Sequence, residues 1–445
     1  MNRWVEAFKQ LRHYPSAVAG ILLIAGFVGV SVYTVFAIPY PKALELWRGG
    51  KEWRDHPRNA APVWTNWFRV NDLPPTIKLE NSDAAIQEER FRDTRRVRIS
   101  MDFKYNYAAF PSEMNVFLKS RFQEKGPLVT LRWKTPDGRT IPLGSYRPRS
   151  SQRIALSQDR NLERNLGAPA HVALLSKRNE DQKGRPDVLK GQYKLVVDAI
   201  LFEENSSLDA TFISYGRVHG IAGTDHQRRA LIVALLWGTP IALIFGLFAA
   251  VGTTITTLCV AATGVWFGGL VDAGIQRVTE VNMILPLLPI LVLIGTLYTR
   301  SLWLMLAVVV ALGIFSAGVK MYRAMLLPVK QEPFIEAARA YGAGNLRIIM
   351  RYMVPRILPV LIPGFVTLIP TFVFLEASLS VLGLGDPVLP TWGKILHDAQ
   401  NESALYNGYY YWVLSPAVML MLTGLSFAML GFALDRIFNP RLRSR

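Results

Sequence analysis

Six runs of residues almost free of charge dominate this chain, and most are long enough to cross a lipid bilayer. They cover residues 17–38, 231–260, 283–298, 302–327, 358–384 and 412–434. A spanning helix needs about 20 apolar residues, since its backbone polar groups find no water in hydrocarbon and must bond within the segment. Between the first and second runs, residues 40–228 are polar, charged and studded with Pro, Arg and Trp. The overall 51% of hydrophobic residues therefore averages two different materials. The expected fold class is a mainly α membrane protein of six transmembrane helices, with a large β-rich domain inserted between helices 1 and 2. Its expected divisions are residues 1–40, an amphipathic N-terminal helix and helix 1; residues 41–222, the inserted domain; and residues 223–445, helices 2–6.

The first run is expected to be a retained span. At roughly 22 residues it exceeds the signal-peptide core of about 7 to 15, and Ile38, Pro39, Tyr40 and Pro41 follow where small residues would mark a cleavage site. Just before it, Trp4, Phe8 and Leu11 recur at helical spacing, as in a short helix lying on the membrane surface. The formal net charge of +17 does not point to nucleic acid, because Lys and Arg flank the apolar runs and form no basic stripe interleaved with aromatics. They orient the chain instead. Lys320, Arg323, Lys330, Arg339, Arg347, Arg351 and Arg356 crowd one connection, and Arg436, Arg441, Arg443 and Arg445 crowd the end of the sequence. By the positive-inside rule both places are cytoplasmic, so six crossings put both termini inside and residues 41–222 outside. Cys259 is the only cysteine and sits in an apolar run, so the inserted domain has no disulfide framework to lean on.

Within that domain, residues 129–134 alternate apolar and polar, Pro136, Asp137 and Gly138 signal a turn, and residues 140–143 resume, which predicts a hairpin. Residues 193–198 and 210–213 read as further strands. A sandwich is the expected architecture. Residues 151–190 hold few apolar positions and carry no prediction of regular structure.

Two stretches carry functional signals. In the basic connection, residues 332–342 and 345–355 read as two short helices joined at a glycine. Pro333 suits a first turn, Gly342 a left-handed end, and Asn345 a cap for the second helix. Ala337, Ala338 and Ala340 beside Phe334 and Tyr341 make a compact protrusion shaped to seat in a partner's groove. An Arg-anchored interfacial linker is the plainer reading of the same residues. In the fifth run, Glu376 is followed by Ser378, Ser380, Gly383, Gly385, Pro390, Thr391, Trp392 and Gly393. A carboxylate inside a span is costly unless it faces a wet cavity or the bundle interior, so Glu376 reads either as a pathway group or as a helix-pairing group, with Ser378 and Ser380 beside it.

These stretches resemble the permease subunits of ATP-binding cassette (ABC) importers, in the dipeptide, oligopeptide and nickel branch. Glu336, Ala337, Ala338, Gly342, Val354 and Pro355 match the EAA loop, residues 328–356, with Tyr352 and Val354 where the general pattern has Ile and Leu. The block from Glu376 through Gly385 to Trp392 resembles the fifth span and outer loop of that branch. Gly223, Thr224 and Asp225 match its entry to helix 2, and Thr224 with Gln227 also forms a capping box; the pattern then departs, with Arg228, Arg229 and Ala230 in place of a Gly-Arg-Asp. Gly268, Gly269, Asp272 and Arg277 fit the next cytoplasmic turn.

The resemblance implies the type I permease fold, and a coupling role toward an ATPase for Glu336, Ala337, Ala338, Arg339, Tyr341 and Gly342. It implies an outer-loop role for Gly383, Gly385 and Trp392. The implied partners are a second, different permease subunit, two ATPase subunits and an extracytoplasmic substrate-binding protein, besides membrane lipid. The implied cargo is a peptide or similar small solute, moved by alternating access.

The chain has no phosphate-binding Gly-rich loop, no metalloprotease signature and no nucleophile elbow. It is expected to be non-catalytic and to carry no cofactor, with ATP and Mg in the partner subunits. Its six histidines are scattered; even His219, His226 and His397 near the outer face set up no expected metal site. A rival reading makes it a membrane-anchored sensor or assembly protein acting through its outer domain, although one or two spans would suffice for an anchor. The inserted domain could dock the binding protein, cap the entrance or stiffen the complex.

Overall fold

The computed structural model describes residues 14–91, 94–177 and 186–438. The expected N-terminal amphipathic helix and the arginines at 441, 443 and 445 lie outside the described residues. Two compact units emerge, one of residues 1–48 with 233–445 and one of residues 49–232.

In the membrane unit, α1 (Pro15–Ala37) is followed by a short α2 (Tyr40–Arg48). After the β unit, whose two small helices are α3 and α4, the long α5 (Leu231–Phe267) turns at Gly268 and Gly269 into α6 (Gly269–Ile284). Both glycines have positive φ, 64° and 52°, which is what permits so abrupt a turn. Then come α7 (Leu287–Leu297), α8 (Leu302–Gly313) and α9 (Ala317–Lys330). The connection carries α10 (Pro333–Ala340) and α11 (Asn345–Ile348). Helices α12 (Val354–Val381), α13 (Trp392–Asn401) and α14 (Tyr410–Phe438) complete the unit.

Among the described residues, four stretches are long and apolar enough to cross a membrane, and the count reaches six if two bent pairs are each one span. The third expected crossing, residues 283–298, is therefore corrected. It is a pair, α6 with α7, bent by 73° where Pro286 blocks helical continuation. The fourth is likewise α8 with α9, bent by 46°.

Small residues let the spans approach closely, the packing device available where lipid removes the hydrophobic drive. A Cβ on Gly20 of α1 would lie 2.7 Å from the carbonyl oxygen of Ser426 in α14, so the first and last spans touch backbone to backbone. Gly246 of α5 sits equally tightly against Ile369 of α12.

The β unit is a sandwich of two antiparallel sheets. One holds β1 (Ile77–Leu79), β9 (Ser207–Tyr215), β4 (Glu113–Arg121) and β7 (Ser151–Ala155), in that order. The other runs β2 (Ala85–Phe91), β3 (Thr94–Tyr105), β8 (Gly191–Leu201), β5 (Leu128–Lys134) and β6 (Thr140–Tyr146). The hairpin expected at 129–143 is β5 and β6, with Gly138 at φ 85° in its turn.

Period-two alternation sends Ile99, Met101, Phe103, Leu131, Trp133, Tyr193, Leu195 and Val197 inward to meet Val116, Leu118, Ala210 and Phe212 of the other sheet. Phe103, Trp133, Tyr193 and Phe212 stack with ring centroids 5.5–5.7 Å apart, and the Trp133 indole donates to the Leu174 carbonyl at 3.0 Å. On the outer face of the larger sheet, Asp198 sits between Arg98, at 2.7 Å, and Arg132. Burial works against its ionisation, but the two guanidiniums outweigh it and hold the carboxyl below the usual range.

Residues 151–190, which carry no prediction of regular structure, supply β7, α3 (Arg160–Leu166) and α4 (Ala170–Ala173). Their few apolar residues are spent efficiently. Ile154, Leu156, Leu162, Ala170, Leu174 and Leu175 all enter the core. Asp159 caps α3 by accepting from Asn161 and Leu162, a local signal strong enough to have been read.

The capping box assigned to Thr224 is also corrected. Helix α5 opens only at Leu231, and the buried Thr224 hydroxyl bridges the chain, accepting from Ala60 N at 3.0 Å and donating to Pro57 O at 2.8 Å. Asp225 and Arg229 form a buried pair at 2.5 Å, and Arg228 reaches Glu113 and the His56 carbonyl, each at 2.6 Å. The residues that depart from the family pattern thus build the floor of the β unit.

His56 and His219 stack there, centroids 4.1 Å apart. Burial, then the neighbouring His219, pushes the His56 pKa down to about 4. Between about pH 6.5 and that value the unfolded chain binds a proton that the folded unit refuses, so the His56 contribution is complete above pH 6.5 and falls as pH drops toward 4. Thermal unfolding followed by β-sheet circular dichroism should show this decline, and His56→Gln should flatten it.

Candidate functional site

The basic connection folds as a braced protrusion. Pro333 takes the first position of α10, where its missing N–H costs nothing. At the other end, Gly342 N donates to Arg339 O at 2.9 Å and Ala343 N to Ala338 O at 3.0 Å, the paired bonds of a Schellman ending, with Gly342 left-handed at φ 75°. The cap of α11 is Gly344, so Asn345, expected to be the cap, is instead the first helical residue. A π-helical stretch, Ile349–Met353, then runs directly into α12. Such a wide turn absorbs the backbone that Pro355, at the start of α12, leaves unbonded.

Ile335, Ala338, Ile348, Ile349 and Met353 face inward and pack on Val319, Tyr322 and Leu326 of α9 and on Val265 and Trp266 of α5. Three polar ties reinforce that core. Lys330 Nζ donates to Val265 O at 2.7 Å and Trp266 O at 3.0 Å, capping the C-terminus of α5. The Arg339 guanidinium lies 4.4 Å over the Trp266 ring. Arg323 forks onto both Asp272 oxygens at 2.6–3.0 Å, joining α9 to α6. Arg277, further along α6, pairs with Glu280 on its own helix at 3.1 Å.

Of the six residues expected to couple to an ATPase, Ala338 is therefore a core residue, and Arg339 is committed to Trp266. Glu336, Ala337, Tyr341 and Gly342 remain on the exposed side. Tyr341 is 92% exposed, and Leu346 and Met350 stand out beside it at 74% and 55%. Sequence reasoning passed over Leu346 and Met350, although their spacing of four marks one outward face.

The block around Glu376 occupies a different place. Glu376 is buried in α12, accepts from the Ser380 hydroxyl at 2.9 Å and is bonded to the Thr391 side chain. Gly385 and Gly393 lie so close on Ser380 that a Cβ on either would strike it. Trp392 donates to Leu235 O at 2.9 Å and lies on Gly238, where α5 has no side chain. Glu376 and Ser380 thus hold down the loop carrying Gly383, Gly385 and Trp392. Ser378 turns away and bonds Phe374 O at 2.7 Å.

A cavity of about 750 Å³ opens instead where α5 faces the two bends, lined by Thr253, Thr254, Thr257, Asn282, Tyr322 and Phe372 among others. Neither Glu376 nor any other ionisable carboxyl or amine lines it. Asn282 donates to Leu312 O at 2.9 Å and Phe315 O at 3.1 Å, and Thr257 to Gly313 O at 2.9 Å, so the carbonyls freed at the α8–α9 break are met by side chains on the cavity wall. Sequence reasoning named none of these residues, because Thr and Asn within apolar runs carry no distinctive spacing.

Residues 242–444 match the family of binding-protein-dependent transport system inner membrane components. The chain is 31% identical over 226 residues to the glutathione transport system permease protein of Pectobacterium atrosepticum, covering 50% of this chain and 73% of that one. It is 30% identical over 224 residues to the oligopeptide transport system permease protein of Escherichia coli, covering 50% and 72%. The dipeptide transport system permease protein of Lactococcus lactis is 26% identical over 224 residues, 50% and 64%. The chain belongs to this family. It is a multi-pass inner-membrane permease component of an ABC importer, a class that works with a binding protein and an ATPase. The family match begins beyond the β unit.

Arg323→Ala strands the partly buried Asp272 and is expected to destabilise the membrane unit by about 1.5–3 kcal/mol. The melting temperature of the purified protein measures this, and adding Asp272→Ala should return part of the loss.

Proposed function

We propose that this permease passes small peptides, with α10 and α11 as the element that an ATPase subunit moves. The observation that carries the reading is the braced loop. Its inner face is joined to α5 and α9 by a shared core and by Arg339 resting on Trp266, while Lys330 and Arg323 tie α9 to α5 and α6 behind it and Tyr341, Leu346 and Met350 are offered outward. A force applied to the outer face reaches the cavity wall, because α9 carries both Tyr322 of the cavity and Leu326 of the loop's core. Peptide is favoured as cargo by the relatives, whose names specify glutathione, oligopeptide and dipeptide transport.

In this reading ATP closes two cytoplasmic ATPase subunits, the loops rock the bent pairs, and the cavity, completed by a second permease subunit, opens outward to a loaded binding protein. Hydrolysis resets it inward. Both termini and the basic loop are cytoplasmic and the β unit is outside, as the clustering of Lys and Arg in the short connections favours. The chain binds no nucleotide of its own in this scheme, and the ATPases carry ATP and Mg. Bent helices around a cavity also argue against an anchor-only role for the spans, since breaking a helix in lipid serves nothing in an anchor.

In the reconstituted complex, Glu336→Lys and Gly342→Asp should each lower peptide-stimulated ATP hydrolysis by about tenfold or more, equivalent to about 1.4 kcal/mol of lost coupling, with the complex still assembled. Unchanged stimulation in both variants would reject the loop as the coupling element.

A further inference from the structure

The β unit presents an aromatic surface that neither its own core nor the transport mechanism uses. Residues 63–68 form a tight 3₁₀ turn that is internally fastened. Asn66 exchanges two hydrogen bonds with the backbone of Leu73 at 3.0 and 3.1 Å, and Thr65 donates to Pro62 O at 2.7 Å. The Trp64 indole donates to Ile221 O at 2.9 Å. This rigid turn faces its large side chains outward: Trp67 is 82% exposed, Phe68 81% and Val70 fully, with Ile221 at 76% beside them. A fastened turn that holds two aromatic rings in water is built to be covered.

Its chain connections say by what. Leu231, the first residue of the apolar helix α5, donates its N–H to Gly223 O at 3.1 Å. Gly223 is two residues from Ile221, and two residues span at most about 7 Å. Ile221, whose carbonyl holds Trp64 of the turn, is therefore tethered within about 10 Å of the residue that opens α5. Trp settles at a bilayer's headgroup level, its ring too apolar for water and too polar for hydrocarbon, and Phe is typical of the apolar face that interfacial segments bury beside it. Arg69, exposed between Phe68 and Val70, adds a cation of the kind that pairs with lipid phosphate.

We infer that Trp67, Phe68, Val70 and Ile221 form a lipid-interface foot, which rests the β unit in the headgroup layer of the bilayer that its own spans cross. The foot fixes the height of the unit over the membrane independently of any protein contact.

The test uses the full chain in its assembled complex, in nanodiscs of phosphatidylethanolamine and phosphatidylglycerol. On a Cys259→Ala background, an environment-sensitive fluorophore is placed at Trp67→Cys and, as control, at the exposed Glu124→Cys. With no binding protein present, the label at 67 should emit at shorter wavelength than the control, be quenched several-fold more by headgroup-region spin-labelled lipid, and be several-fold less accessible to iodide. Equal iodide quenching at both sites overturns the inference. So does protection at 67 that arises only when the binding protein is added, which would make the patch a protein-docking surface. Labelling at Val70→Cys repeats the measurement should the Trp67 change distort the turn.

Discussion

Backbone groups left without partners inside a bilayer govern this molecule more than any charge does. A carbonyl in hydrocarbon has no water to fall back on, and the membrane unit breaks two of its apolar helix pairs sharply. Asn282 makes those breaks tolerable. Placed at the end of α6, its amide donates to two carbonyls released where α8 gives way to α9. One side chain thereby fixes both bends relative to each other. The cavity follows from them, since helices that bend apart cannot fill the space between them, and Thr257 satisfies a third carbonyl from the opposite wall.

The same economy explains why the coupling loop is stiff. Its helices are too short to be stable alone, so their rigidity is borrowed from α5 and α9 through Ile335, Ile348 and Met353. Charges play a supporting part at the edges of that core. Lys330 quiets the C-terminal end of α5, and Arg323 and Asp272 hold the start of α6. Arg339, which lies within the motif itself and is exposed, lays its guanidinium over Trp266.

Much of this was legible in the residues. Long apolar runs announced the spans, the turn at Gly138 announced a hairpin, and Pro333 and Gly342 bounded the first loop helix. What escaped detection has a common cause. Residues 283–298 are apolar throughout, and a uniform run carries no sign of a 73° bend except Pro286. Residues 151–190 have few apolar positions, but seven of those described enter the core and none is exposed, and density of apolar residues is a poor guide when placement is this efficient. Thr224 and Gln227 carry the spacing of a capping box, yet the helix they were to cap begins later and the hydroxyl ties down a distant strand of chain. Glu376 could be placed in the membrane from sequence, but its partners Ser380 and Thr391, and hence its service to the outer loop, depend on a fold-back at Gly383 that only the structure displays.

The seam between Gly20 and Ser426 joins the first span to the last. During synthesis α1 enters the bilayer long before α14 exists, and the whole β unit and helices α5 to α13 must be made in between. The contact is about as non-local as a chain of this length allows, so its ordering entropy is met late. Until then α1 has only lipid against its small-residue face. The permease is thus closed by its final helix, and a chain stalled or truncated before α14 would leave the first span without its seat.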